Sequence, residues 1–104
     1  MASYVFAYKG GKMAETDEER EAAMAAWGRW FEELGSTVVD GGNPFAGSAS
    51  VKGGGEVSRG GESGLTGYSI VSADTLDGAA GLAKGCPILA NGGSVEVYEV
   101  LPVM

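Results

Sequence analysis

Thr16 to Phe45 reads TDEEREAAMAAWGRWFEELGSTVVDGGNPF, and this stretch decides the fold. Thr16 followed three residues later by Glu19 is a capping box, and Asp17 and Glu18 suit the positive end of a helix dipole. On a helical wheel Ala23, Met24, Trp27, Trp30, Phe31 and Leu34 fall within one arc of about 120°. Glu18, Glu21, Arg29, Glu32 and Glu33 lie outside it. The spacing therefore predicts an amphipathic helix that packs on a flat apolar surface, with Gly35 as its left-handed cap. Arg20 falls inside the apolar arc, where its stem would snorkel along the helix end. Ser36 to Asp40 (STVVD) follows as a short β-branched strand, and Gly41-Gly42-Asn43-Pro44 is a turn cluster.

The flanking sequence supplies the sheet. Ser3 to Lys9 alternates, with Tyr4, Phe6 and Tyr8 on one side and Val5 and Ala7 on the other, so both faces of this strand are apolar or aromatic. Ser48 to Ser58 reads as a small hairpin around Gly53-Gly54-Gly55, and Arg59 to Gly64 as loop. Thr66 to Ala73 (TGYSIVSA) is a strand with Tyr68 and Ile70 facing opposite to Val71 and Ala73. Asp74 or Thr75 then caps a helix over Leu76 to Lys84, which Gly85 and Pro87 close. Ser94 to Leu101 is the last strand. The order β-α-β, hairpin, β-α-β predicts a ferredoxin-like α+β fold: βαββαβ, a four-stranded antiparallel sheet with both helices on one face, and an extra hairpin at about 48–58. Residues 1–104 read as one domain. The uncovered sheet face predicts a homodimer in which two sheets face each other.

Composition narrows the function classes. The 104 residues carry 7 Lys and Arg against 14 Asp and Glu, a net charge of −7. No basic stripe is present, which argues against nucleic acid, and the acidic surface argues against anionic membranes. No secretory leader or spanning segment is legible, and the expected location is cytoplasmic. The single Cys86 has no internal disulfide partner and reads as a buried structural thiol. No histidine occurs anywhere in the chain. Without clustered ligands no metal site is predicted, and the glycine runs do not form a nucleotide-binding pattern, so no cofactor is expected.

Several residues remain as candidates for a site. Asp40, at a strand end before Gly41-Gly42, either caps its own turn or stands at the mouth of a cleft beside Arg20, where it would be the one catalytic candidate. Tyr8, Tyr68 and Tyr98 either line an interior that binds a ligand or fill a core. Trp27 reads as core and is also carried as a ligand contact.

The run W-x-x-W/F-x-x-L-G-x-x-V-V-D-G-x-x-P from Trp27 to Pro44 and the run from Gly67 to Val100, ending G-C-P-I-L-x-x-G-G-S-V-E-V-Y-E-V, resemble the YCII-related family. The resemblance implies a dimeric α+β barrel built on the ferredoxin-like fold. Some members of that family pair a histidine on the first helix with a following aspartate as acid and base. Asp40 matches that aspartate, whereas Met24 or Trp27 stands where the histidine would be. The D-G-P-F segment of many relatives is replaced by Ser58 to Gly64. The reading that results is a small homodimer that binds a small organic molecule in a cleft or barrel pocket without the His–Asp pair. The alternatives are a non-catalytic dimerisation or accessory protein, or a cofactor-free enzyme using Asp40 alone.

Overall fold

A computed structural model of the chain describes residues Met1–Val103. Strand β1 (Ala2–Lys9) is followed by helix α1 (Asp17–Leu34) and edge strand β2 (Val38–Asp40). A separate ribbon of β3 (Ala49–Val51) and β4 (Val57–Arg59) comes next. Strand β5 (Leu65–Ala73), helix α2 (Leu76–Ala83) and strand β6 (Ser94–Glu99) complete the chain. The main sheet has the order β2-β5-β1-β6 with every pair antiparallel, which is the ferredoxin-like arrangement.

Local chemistry fixes the helix ends. Thr16 is extended, and its Oγ1 accepts the Glu19 backbone N–H at 3.1 Å. Glu19 reaches back to the N–H of Glu15 at 2.7 Å, one residue ahead of the cap. Gly35 ends α1 and donates to the Phe31 carbonyl, but at φ +55° and ψ −126° it lies outside the left-handed helical region expected of it, although its positive φ still disfavours a side chain. Thr75, rather than Asp74, caps α2 by accepting from Gly78 N–H at 2.9 Å.

The core lies between the helices and one face of the sheet. Tyr4, Phe6 and Tyr8 of β1 stand beside Ser69, Val71 and Ala73 of β5 and beside Val95 and Val97 of β6. Trp30 joins this layer to both helices. Its ring stacks on Phe6 with centroids 6.1 Å apart, and its Nε1 donates to the Leu82 carbonyl of α2 at 3.2 Å. Trp27 meets Tyr8 edge-on at 5.0 Å.

Three further expectations need correction. Met24 does not join the apolar contact and is 75% exposed, because burial along α1 is confined to its C-terminal half, where the aromatic rings cluster. Gly85 is not a left-handed cap, since α2 ends at Lys84 in a right-handed conformation. Gly85 instead lets the chain pass close to the Trp30 ring, where a β-carbon would make a tight 3.2 Å contact. Arg20 does not fold toward Asp40; its guanidinium pairs with Asp17 on its own helix, with both groups exposed. An i,i+3 partner is closer than any across the fold, and such an exposed pair contributes little to stability.

Trp30→Ala is expected to cost about 3–5 kcal/mol of unfolding free energy, a large share of the roughly 5–15 kcal/mol that holds a domain of this size. Guanidinium denaturation of the purified variant measures this. A loss under about 1 kcal/mol would show that the ring is not central to the packing.

Candidate functional site

The sheet face away from the helices is the place where polar and aromatic side chains converge. Register sets them in two rows. Tyr98, Val5, Ile70 and Asp40 stand side by side across β6, β1, β5 and β2, and Glu96, Ala7 and Tyr68 form the adjacent row. Neighbouring strands are about 4.8 Å apart, so the first row spans about 14 Å. Its floor is apolar and partly covered by its own neighbours: Ala7 is buried, and Val5 and Ile70 are half-buried.

Each edge carries a tyrosine–carboxylate pair. Tyr98 Oη donates to Glu96 Oε1 at 2.6 Å, an i,i+2 contact on one strand face. That carboxylate holds the Tyr98 hydroxyl above its ordinary pKa, because the neutral phenol is the form that donates. On the opposite edge Tyr68 Oη makes a long 3.5 Å contact to Asp40 Oδ2. Asp40 Oδ1 accepts the Gly42 N–H at 2.8 Å, the turn-capping geometry of an aspartate before a bend. Phe45 stacks on Tyr68 with ring centroids 5.8 Å apart and planes 18° from parallel.

The bend Asp40–Phe45 holds this arrangement in place. It runs against β5, with Tyr68 N–H donating to Asn43 O at 3.3 Å and Phe45 N–H to Thr66 O at 2.8 Å. Gly42 has φ +73°, and a β-carbon there would fall on the Tyr68 carbonyl, so only glycine fits. Beneath the bend, Tyr8 Oη donates to Ser69 Oγ at 2.7 Å, and Ser69 Oγ donates to the Gly41 carbonyl at 2.7 Å. Ser69 is fully buried, and this chain of bonds satisfies it.

The sequence-predicted residues therefore separate. Asp40, Tyr68 and Tyr98 share the open face. Tyr8 does not join them, since its strand parity turns it beneath α1, where burial pushes its pKa up to about 12 against the lowering effect of the Ser69 bond. Trp27 also lies on the helix side. It borders a groove of about 630 Å³ between α1 and the 3₁₀ turn Pro87–Asn91, together with Lys12, Ala26, Arg29 and Trp30. Asp40 does not line that groove. Cys86 is buried beside the core, and burial pushes its thiol up to about 11, which makes it a poor nucleophile. Sequence reasoning missed Glu96, Phe45 and Ser69. Glu96 could have been found as the i−2 neighbour of Tyr98, and Ser69 as the one polar residue in register with Val71 and Ala73.

Comparison with known proteins gives one match: the model of the YCII-related domain covers residues 1–104. The chain belongs to the YCII-related domain family. No curated protein and no solved structure matches it. Among the described residues no group of three His, Cys, Asp or Glu side chains could hold a metal ion. No described helix is long and apolar enough to cross a membrane.

Cys86 and Tyr8 are neutral in the folded chain, with values raised from an ordinary 9.0 and 10.0, and that of the buried Tyr4 hydroxyl is raised in the same direction, by burial first. Raised values stabilise the fold fully below the unfolded values, and this contribution is lost as pH rises through the folded ones. Unfolding free energy is thus expected to hold up to about pH 9 and to decline toward pH 11–12. Tyr8→Phe should flatten the upper part of that decline. In the native protein at pH 8, Cys86 should resist a thiol reagent that labels it rapidly in guanidinium. Fast native labelling, or a flat alkaline profile in the parent protein, would contradict these assignments.

Proposed function

We propose that this YCII-related chain acts as one cytoplasmic domain that pairs with a second copy through the open sheet face and binds a small organic molecule there. The observation that carries this reading is the open face itself. An apolar floor of Val5, Ala7 and Ile70 lies between two tyrosine–carboxylate pairs, Tyr68 with Asp40 and Tyr98 with Glu96. Ligand sites commonly combine such an apolar surface with a few placed polar groups. A second copy laid over the face would turn a shallow surface into an enclosed one.

Binding is favoured over catalysis. Asp40 has one oxygen tied to its own turn and the other within reach of Tyr68, and the chain has no histidine to exchange a proton with it near neutral pH. The His–Asp pair of some relatives is in this reading absent, and Asp40 serves to orient rather than to transfer a proton. The tie to Gly42 also favours a second reading, in which Asp40 is purely a turn cap and the chain is a dimerisation module without a ligand.

A thermal-shift screen of small metabolites, followed by calorimetry on any hit, separates the two. Asp40→Asn keeps the acceptor for Gly42 N–H but removes the charge. Tyr68→Phe removes the hydroxyl and keeps the ring. Each is expected to weaken binding about tenfold or more, the worth of a charge-assisted hydrogen bond, while Trp27→Phe in the helix-side groove leaves it unchanged. The reverse pattern would move the site to that groove. A screen without hits would support the dimerisation module.

A further inference from the structure

The β3–β4 ribbon joins no other sheet. Its register pairs Ala49 with Arg59, Ser50 with Ser58 and Val51 with Val57, which puts the serines on one face and Val51 and Val57 on the other. The serine face is turned toward the chain's own loop. Ser50 Oγ donates to the Gly60 carbonyl at 3.3 Å and accepts the Glu62 N–H at 3.1 Å, and Ser48 Oγ accepts the Gly61 N–H at 2.7 Å. A Lys52–Glu62 ion pair at 2.9 Å adds a further tie. The valine face is turned outward, with Val51 69% and Val57 64% exposed. This reverses the usual pattern, in which the apolar side of an antiparallel ribbon packs and the polar side meets water. A two-stranded ribbon without apolar packing is marginal by itself.

Both roots of the ribbon lie on the open side of the main sheet. Phe45 leads into it stacked on Tyr68. Gly64 leads out of it next to the Lys9 side chain, since a β-carbon on Gly64 would lie 4.0 Å from Lys9 Cε. Tyr68 shares a sheet face with Val5, Ala7 and Ile70, and Lys9 keeps that face in its pairing with β6.

Surface area points to what the ribbon meets. The chain exposes 7153 Å², against about 5,400 Å² expected for a compact monomer of its mass. Its radius of gyration is 15.1 Å, against about 13 Å for a compact domain of this length. The surplus of about 1,700 Å² is roughly twice what one partner contributes to a standard interface, and is of the size that obligate dimers bury.

We infer that the β3–β4 ribbon is a clasp for a second copy of this chain, its Val51–Val57 face lying on the copy that covers the open sheet face. This rests on the pairing proposed above and adds a distinct contact to it. Sedimentation velocity over a dilution series tests it with the full chain, comparing the parent with Val51→Asp/Val57→Asp, Val51→Ser/Val57→Ser and, on the open face, Ile70→Asp. The serine pair keeps the ribbon intact should the aspartates disturb it, and near-ultraviolet spectra report whether the core is unchanged.

The expected result is a dimeric parent whose dissociation constant rises about 30-fold or more in the aspartate pair, the effect of losing a central apolar contact, and rises less in the serine pair. If Ile70→Asp dissociates the dimer while both ribbon variants match the parent, the clasp is wrong and the open-face pairing stands. If the ribbon variants dissociate it and Ile70→Asp does not, the clasp holds and the open-face pairing fails. A monomeric parent sinks both.

Discussion

Everything in this chain depends on one asymmetry: both helices pack on the same face of a four-stranded sheet. Trp30 enforces it. Its ring lies on Phe6, its indole N–H reaches the Leu82 carbonyl, and Gly85 leaves room for its edge. One side chain thus joins α1, α2 and the central strand. The aromatic layer of Tyr4, Phe6 and Tyr8 is consumed in that packing. What remains on the other face is smaller and mixed: Val5, Ala7 and Ile70, with tyrosines and carboxylates at the edges.

The bend after β2 connects the two sides. On the helix side Ser69 links the hydroxyl of Tyr8 to the Gly41 carbonyl, so the core holds the bend from below. From above, the bend places Asp40 and Phe45 against Tyr68. Only glycine at position 42 lets the chain pass so close to the Tyr68 carbonyl. The same geometry that presents Asp40 on the open face also occupies one of its oxygens with a turn N–H. In the proposed ligand site this leaves the carboxylate one oxygen free of the turn, which would suit orientation of a ligand better than proton transfer.

The fold was largely legible in the sequence because its signals are local. The Thr16–Glu19 box, the Gly35 stop and the alternation of Ser3 to Lys9 each act over a few residues, and element order then leaves few topologies. The hairpin at 48–58 was legible from its glycine run. The site was less so, because it depends on which strand face a residue occupies relative to the helices. Alternation separated Tyr8 from Val5 but could not say that Tyr8 would lie under Trp27 while Tyr68 and Tyr98 lay opposite. Arg20 looked available to Asp40 only because the wheel does not show that Asp17 is nearer. Met24 fitted the apolar arc, and only the position of the aromatic cluster shows that the helix is anchored at its other end.

In the proposed pairing, the open face and the outward valines of the ribbon are two parts of one apolar surface that a second copy would cover. A chain of this mass with 7153 Å² exposed is extended for a monomer. Small-angle X-ray scattering of the parent protein on an absolute scale tests this most directly. The account predicts a forward-scattering mass of two 10.5 kDa chains and a radius of gyration above the 15.1 Å of one. A mass of one chain with a radius near 15.1 Å at the highest concentration measured would contradict it.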